Sequence, residues 1–205
     1  MFKTLVLASQ SPRRNELMKI AGYNFNIKVS DVDETILNDW NIYEAPKILA
    51  KKKAAAVIEQ FNLGSDTVVI AADTIVVCED KVFGKPKNVL EATQMLETLS
   101  GKVHEVITGV NIRTPDFEVS FDDHSRVFFR TLDKQELEYY IKNHNPFDKA
   151  GGYGIQDWIG VRIVERIEGC YFNVMGMPMR KVIEALKQFG ITGMNSNQIV
   201  GEKNL

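Results

Sequence analysis

The chain has 205 residues, enough for one good-sized domain or two small lobes that share a sheet. Hydrophobic residues make up 44% and charged residues 25%. With a formal net charge of -2 no global basic field draws the chain to nucleic acid or an anionic membrane, so any anion site must be local.

Two distant cysteines, Cys78 and Cys170, read as thiols in a reducing compartment, and three histidines are too few for a metal cluster. Leu5 to Ser9 is too short and too quickly followed by arginines to be a leader, and no stretch approaches the ~20 apolar residues of a membrane span. A soluble cytoplasmic protein is expected, with no membrane and no nucleic-acid partner.

In chain order, Lys3 to Ala8 reads as a buried strand. Ser11-Pro12 starts a helix that runs to Ala21 and closes at Gly22. Phe25 to Val29 is a short strand entering the acidic turn Ser30 to Thr35, and a helix covers Ala45 to Phe61. The run Thr67 to Ala72 is apolar and β-branched, as in a central strand buried on both faces, and Thr74 to Cys78 extends it. Glu79-Asp80 turns the chain into a partner strand, Lys81 to Phe83. A helix over 88–99 offers Leu90, Met95, Leu96 and Leu99 as its apolar positions.

Strands over 103–113 and 118–130 form a long hairpin, Asp133 caps a helix through Ile141, and Ala150 to Gly154 is a glycine-rich turn. A strand near 161–167 and a helix from about Pro178 to Phe189 complete the pattern. The expectation is an α/β fold with a mixed twisted sheet and flanking helices, in two lobes around a cleft. It spans residues 1–194, with a flexible polar tail over 195–205.

The chemistry concentrates in a few places. Leu7 to Arg14 is a strand, a loop and a helix start, where free backbone N–H groups make a ready anion site. Arg13 and Arg14 oppose the helix dipole there, which makes sense if the bound anion is strongly negative, and Ser9 and Ser11 add hydroxyls. Two arginines pointing to solvent are the plain alternative. Asp73 ends an apolar run and is either at the kind of sheet edge where open α/β sheets place ligands or buried at a cost, with a turn cap as the plain reading; its carboxylate suits a metal ion or an attacking water. If Glu79-Asp80 is a two-residue turn, Thr74 falls opposite Lys85.

Lys53 lies four residues past Leu49 and so close to the apolar stripe of its helix, although such a lysine often only snorkels. Glu34, in the turn Asp31 to Glu34, offers a hard oxygen of the kind Mg²⁺ prefers, beside the plainer reading of a solvated turn. Gln156 carries an amide that can pair with a base edge. His104 is read as structural, and Trp158 as a wall or surface residue.

The motifs LASQSPRR, AADTIV, GKP, SGKVHEVITGV, FDKAGGYGIQ and YFNVMGMP, in this order along nearly the whole chain, resemble the Maf family of nucleoside triphosphate pyrophosphatases. The resemblance implies a fold similar to inosine triphosphatase, an often dimeric protein, and cleavage of a nucleoside triphosphate to the monophosphate and pyrophosphate with a divalent metal, Mg²⁺ or Mn²⁺. It implies Asp73 as proton acceptor; Arg13, Thr74 and Gln156 in substrate choice; and Arg14, Lys53 and Lys85, with Ser9, around the phosphates. Glu34 and Asp73 are the residues expected to meet the metal.

The YGIQ form resembles the subgroup acting on dTTP, UTP and modified pyrimidine nucleotides, a role in removing non-standard nucleotides. Asp157-Trp158, where small residues are more usual, departs from it. A 7-methyl-GTP or broad-specificity pyrophosphatase and a regulatory septum-formation binding protein are the rival readings.

Overall fold

The computed structural model describes residues 3–37 and 40–193, so the expected tail over 195–205 lies outside the described residues. In chain order the elements are β1 (Thr4–Leu7), α1 (Pro12–Ile20), β2 (Asn26–Ile27), α2 (Ala45–Gln60), β3 (Thr67–Cys78), β4 (Lys81–Phe83) and α3 (Val89–Leu99). They continue with β5 (Val103–Arg113), β6 (Glu118–Phe129), α4 (Lys134–Asn143), α5 (Trp158–Ile163), β7 (Val164–Glu168), α6 (Tyr171–Val174) and α7 (Met179–Gln188). A 3₁₀ turn covers Ala150–Gly152.

The seven strands form one mixed sheet in the order β2-β1-β3-β5-β6-β7, with β4 also on β3. The expected α/β class with a mixed sheet and flanking helices is the observed one. β1 pairs in parallel with β3 from Thr67 to Ile70, and β4 pairs antiparallel with the same side of β3 only from Val76 to Cys78. Between those two partners, residues 71–75 of β3 have no strand neighbour on that side. The gap falls on Asp73 and Thr74.

The core divides at the same place. On one face of β3, Val68, Ile70 and Ala72 pack with α1 and α7, whereas Val76 and Cys78 pack with α3, α4 and α5. On the other face, Val69 and Ala71 meet α2, and Ile75 and Val77 form a smaller cluster with Ile107. Strand alternation puts Asp73 on the α2 face and Thr74 on the α1 face. Each is the polar break in an otherwise apolar row.

α2 crosses β3 and β5 closely because Gly109 has no side chain. A Cβ there would meet Lys47 N at 2.2 Å and the Pro46 carbonyl carbon at 2.3 Å. Gly109 is the β5 residue paired with Asp73, so this approach lays α2 directly over the aspartate.

Several expectations change. The strand expected near 161–167 starts only at Val164; residues 158–163 are helical. Ile159 and Ile163 are both fully buried while Val161 between them is 78% exposed, which is helical spacing rather than the period of two. Leu90 is 65% exposed, and α3 instead buries Ala92, Leu96 and Leu99. The short α6 was not anticipated. The Glu79-Asp80 turn has the expected register, Cys78 opposite Lys81, with positive φ at both residues. The ladder stops at Val76–Phe83, so Thr74 and Lys85 are not paired. No helix among the described residues is long and apolar enough to cross a membrane.

Candidate active site

The gap in the sheet opens into a cleft of about 890 Å³, and all nine candidate residues line it: Ser9, Arg13, Arg14, Glu34, Lys53, Asp73, Thr74, Lys85 and Gln156. They arrive from separate directions. α1 and the loop before it bring the serine and arginines, α2 brings Lys53, the Ser30–Ile36 loop brings Glu34, and the segment after β4 brings Lys85.

Arg14 is the organising cation. Its Nη1 donates to the Ala72 carbonyl (2.7 Å) and to Ser9 Oγ (3.3 Å), its Nη2 to Thr74 Oγ1 (3.0 Å), and its Nε to the Gly176 carbonyl (2.8 Å). Gly176 has φ 103°, a conformation only glycine adopts readily, and that turn aims its carbonyl at the guanidinium. Ala72 O points to the unpaired edge of β3, so the arginine replaces the missing strand as donor. Burial pushes Arg14 down to about 10, with Asp73 opposing and Arg13 adding to the shift, and it stays charged at neutral pH. Arg13 reaches across to the Asp148 carboxylate (2.8 Å) and carbonyl (3.1 Å). Neither arginine points idly to solvent.

Lys53 does reach inward. Its Nζ lies 2.6 Å from Asp73 Oδ1 and 2.9 Å from Glu34 Oε1, one ammonium bridging two carboxylates. Asp73 is buried, and its Oδ2 accepts no hydrogen bond from the described residues. Burial opposes ionisation of Glu34, yet the hydrogen bond from Lys53 and the charges of Lys53, Lys85 and Arg14 hold it below the usual carboxylate range. Lys85 and Gln156 are exposed at the rim, and Lys85 forms no ion pair among the described residues.

Other lining residues carried no earlier expectation. Asp148 and Lys149 precede the glycine pair, and Lys149 Nζ holds Asp148 (2.8 Å) and Asp157 (3.3 Å). A charged pair one residue before two glycines was the available signal. Val106, Tyr153, Val174 and Met175 form an apolar wall. Behind it, His104 Nε2 bonds Tyr153 Oη at 2.7 Å, and burial pushes the imidazole down to about 3, which fits the expected structural role. Trp158 does not line the cleft; it packs against Tyr139 and His144.

Two carboxylates and no third ligand converge here; among the described residues no group of three His, Cys, Asp or Glu is placed to hold a metal. Such a pair fits a hard cation that completes its shell with a ligand's own oxygens. The present arrangement sets a buried carboxylate among four basic side chains beside an apolar slot, and it can bind a polyanion and draw a proton from water.

The family model for Maf-like proteins matches residues 4–189. The chain belongs to the Maf family. A Cytophaga hutchinsonii protein named dTTP/UTP pyrophosphatase is 46% identical over 195 residues, covering 95% of this chain and 88% of that one. Proteins of the same name from Thermosipho africanus and Bacillus cereus are 43% and 46% identical, covering 95% and 92% of this chain and 98% and 91% of their own lengths. The Maf family thus accounts for a chain whose cleft was built from its first helix, its central strand and its glycine-rich turn.

Proposed function

We propose that this Maf protein is a nucleoside triphosphate pyrophosphatase acting on dTTP, UTP and modified pyrimidine nucleotides, yielding the monophosphate and pyrophosphate. Buried Asp73 paired with Lys53, in a cleft also lined by Arg13, Arg14 and Lys85, carries the reading, and relatives named dTTP/UTP pyrophosphatase support the substrate class.

Asp73 takes the proton of the attacking water through its free Oδ2, while Lys53 on Oδ1 holds the carboxylate in orientation. Ser9 Oγ accepts from Ser11 N (3.2 Å) and from Arg14, which leaves its own proton for a phosphoryl oxygen. Arg14, Lys53 and Lys85 neutralise charge that develops on the phosphate chain, and positioning with fixed charges supplies most of the rate. Gln156, at the cleft rim, reads the base edge, and Arg13, held by Asp148, takes part in substrate choice. Glu34, with the Asp73 carboxylate beside it, would hold Mg²⁺ or Mn²⁺, which would supply Lewis-acid polarisation of phosphate oxygens. A cytoplasmic location and a homodimer complete the proposal.

The test is pyrophosphate release from a nucleotide panel with Mg²⁺ or Mn²⁺, run with Asp73→Asn and Gln156→Glu. The first variant should lose activity on every substrate and the second should reorder the ranking. Turnover of 7-methyl-GTP well above that of dTTP and UTP would sink the pyrimidine assignment.

A further inference from the structure

The direction of each hydrogen bond behind Thr74 is fixed by its neighbours. Thr108 faces Thr74 across β3 and β5, and the two hydroxyl oxygens are 2.9 Å apart. Thr108 Oγ1 also lies 3.0 Å from the Asn173 carbonyl oxygen, which can only accept, so the single proton of Thr108 goes there. Thr74 must therefore donate its own proton to Thr108. One Thr74 lone pair already takes the Arg14 Nη2 proton. What remains toward the cleft is one acceptor and no donor.

The far end of this relay is equally determined. Asn173 is fully buried, and its Nδ2 donates to the Val106 carbonyl (2.9 Å) and Ser125 Oγ (2.9 Å), which fixes the amide orientation and pins α6 against β5 and β6. Thr108 is itself fully buried.

We propose that Thr108 is a positioning residue for base discrimination, holding the Thr74 hydroxyl as an acceptor for an N–H donor on the base. The inference rests on the pyrimidine triphosphate reading and deepens it. A phosphoryl oxygen offers only lone pairs, so it is a poor neighbour for this hydroxyl, in contrast to Ser9, whose proton is free. Thr74 also shares its sheet face with Val76 and Val106, next to Tyr153, which is an apolar slot suited to a ring rather than to phosphates. Uracil and thymine carry an N3–H donor, whereas cytosine presents an acceptor at N3.

The test measures kcat/KM for UTP, dTTP, CTP and 3-methyl-UTP with the wild-type chain, Thr108→Ser and Thr108→Val. Wild type and Thr108→Ser, which keeps the hydroxyl, should prefer UTP and process 3-methyl-UTP poorly. Thr108→Val frees the Thr74 proton to turn toward the cleft, and the UTP/CTP ratio should fall by about tenfold, chiefly through KM for UTP. An unchanged ratio in a folded Thr108→Val protein overturns the proposal. If that variant does not fold, equal use of 3-methyl-UTP and UTP by the wild type overturns it instead. A wild type that turns over neither UTP nor dTTP overturns the substrate reading as well, which separates the two failures.

Discussion

Lys53 Nζ sits 2.6 Å from Asp73 Oδ1, a contact between a helix and a strand whose close approach over the neighbouring β5 depends on the missing Cβ of Gly109. The lysine's ammonium, the aspartate's carboxylate and the missing Cβ are one device. Gly109→Ala should push α2 off β5 at Lys47 and lift Lys53 from Asp73. Overpacking of this kind destabilises by roughly 1–3 kcal/mol. The expected outcome is a lower melting temperature together with a fall in kcat larger than any change in KM; a variant with wild-type kcat shows that the close approach does not serve the site.

Arg14 tests differently, because its planar fork serves two carbonyls and two hydroxyls at once. Arg14→Lys keeps the charge and loses the fork, so it leaves the Ala72 or Gly176 carbonyl without a donor. We expect a loss of stability of about 1–3 kcal/mol by urea denaturation and a rise in KM for the triphosphate. Equal stability of the variant means water replaces the guanidinium without penalty.

Acid should weaken the fold through His104. Burial lowers its folded value to about 3 from an ordinary 6.5, so the unfolded chain takes up a proton that the native one refuses. Above pH 6.5 the imidazole is neutral in both states and has no effect. From pH 6.5 down toward 3, this residue alone removes up to about 1.4 kcal/mol per pH unit. His104→Gln should show a shallower decline between pH 6.5 and pH 5 in urea titrations, and a slope unchanged from wild type removes His104 as its cause.

Much of this arrangement was legible in the sequence where the local signal and the fold agree. The position of Lys53 relative to Leu49 and the strand–loop–helix of Ser9 to Arg14 pointed to their observed places, whereas Asp73 lies buried in the middle of β3 beside a gap and not at the sheet's end. What the sequence did not disclose depends on tertiary choices. The Thr74–Lys85 pairing fails because β4 leaves β3 after Phe83, where Gly84 and Pro86 break the ladder, a signal that counting back from the turn ignores. Residues 158–163 fold as a helix because their neighbours bury Ile159 and Ile163 and leave Val161 out, a pattern too short to outweigh their β-branched composition. Asp148 became a partner of Arg13 only across 135 positions of chain. No periodicity reaches that far.

Glu136 gives the last expectation, and it has the opposite titration logic from His104. The hydrogen bond from Arg130 holds it down to about 2, burial opposing and Arg162 adding a further hydrogen bond. A depressed carboxylate contributes stability that is fully present above its ordinary value of 4.5 and is lost as pH falls toward 2. Glu136→Gln should therefore melt below the wild type at pH 7, and the gap should narrow steadily below pH 4.5. Because Glu136 joins α4 to Arg162 of α5, remote from the cleft lining, kcat at 25 °C should stay near the wild-type value while thermal stability falls. A gap between the two melting curves that persists undiminished at pH 2.5 contradicts the ion-pair account, since by then the carboxylate is largely protonated in the unfolded chain and most of its pairing advantage has gone.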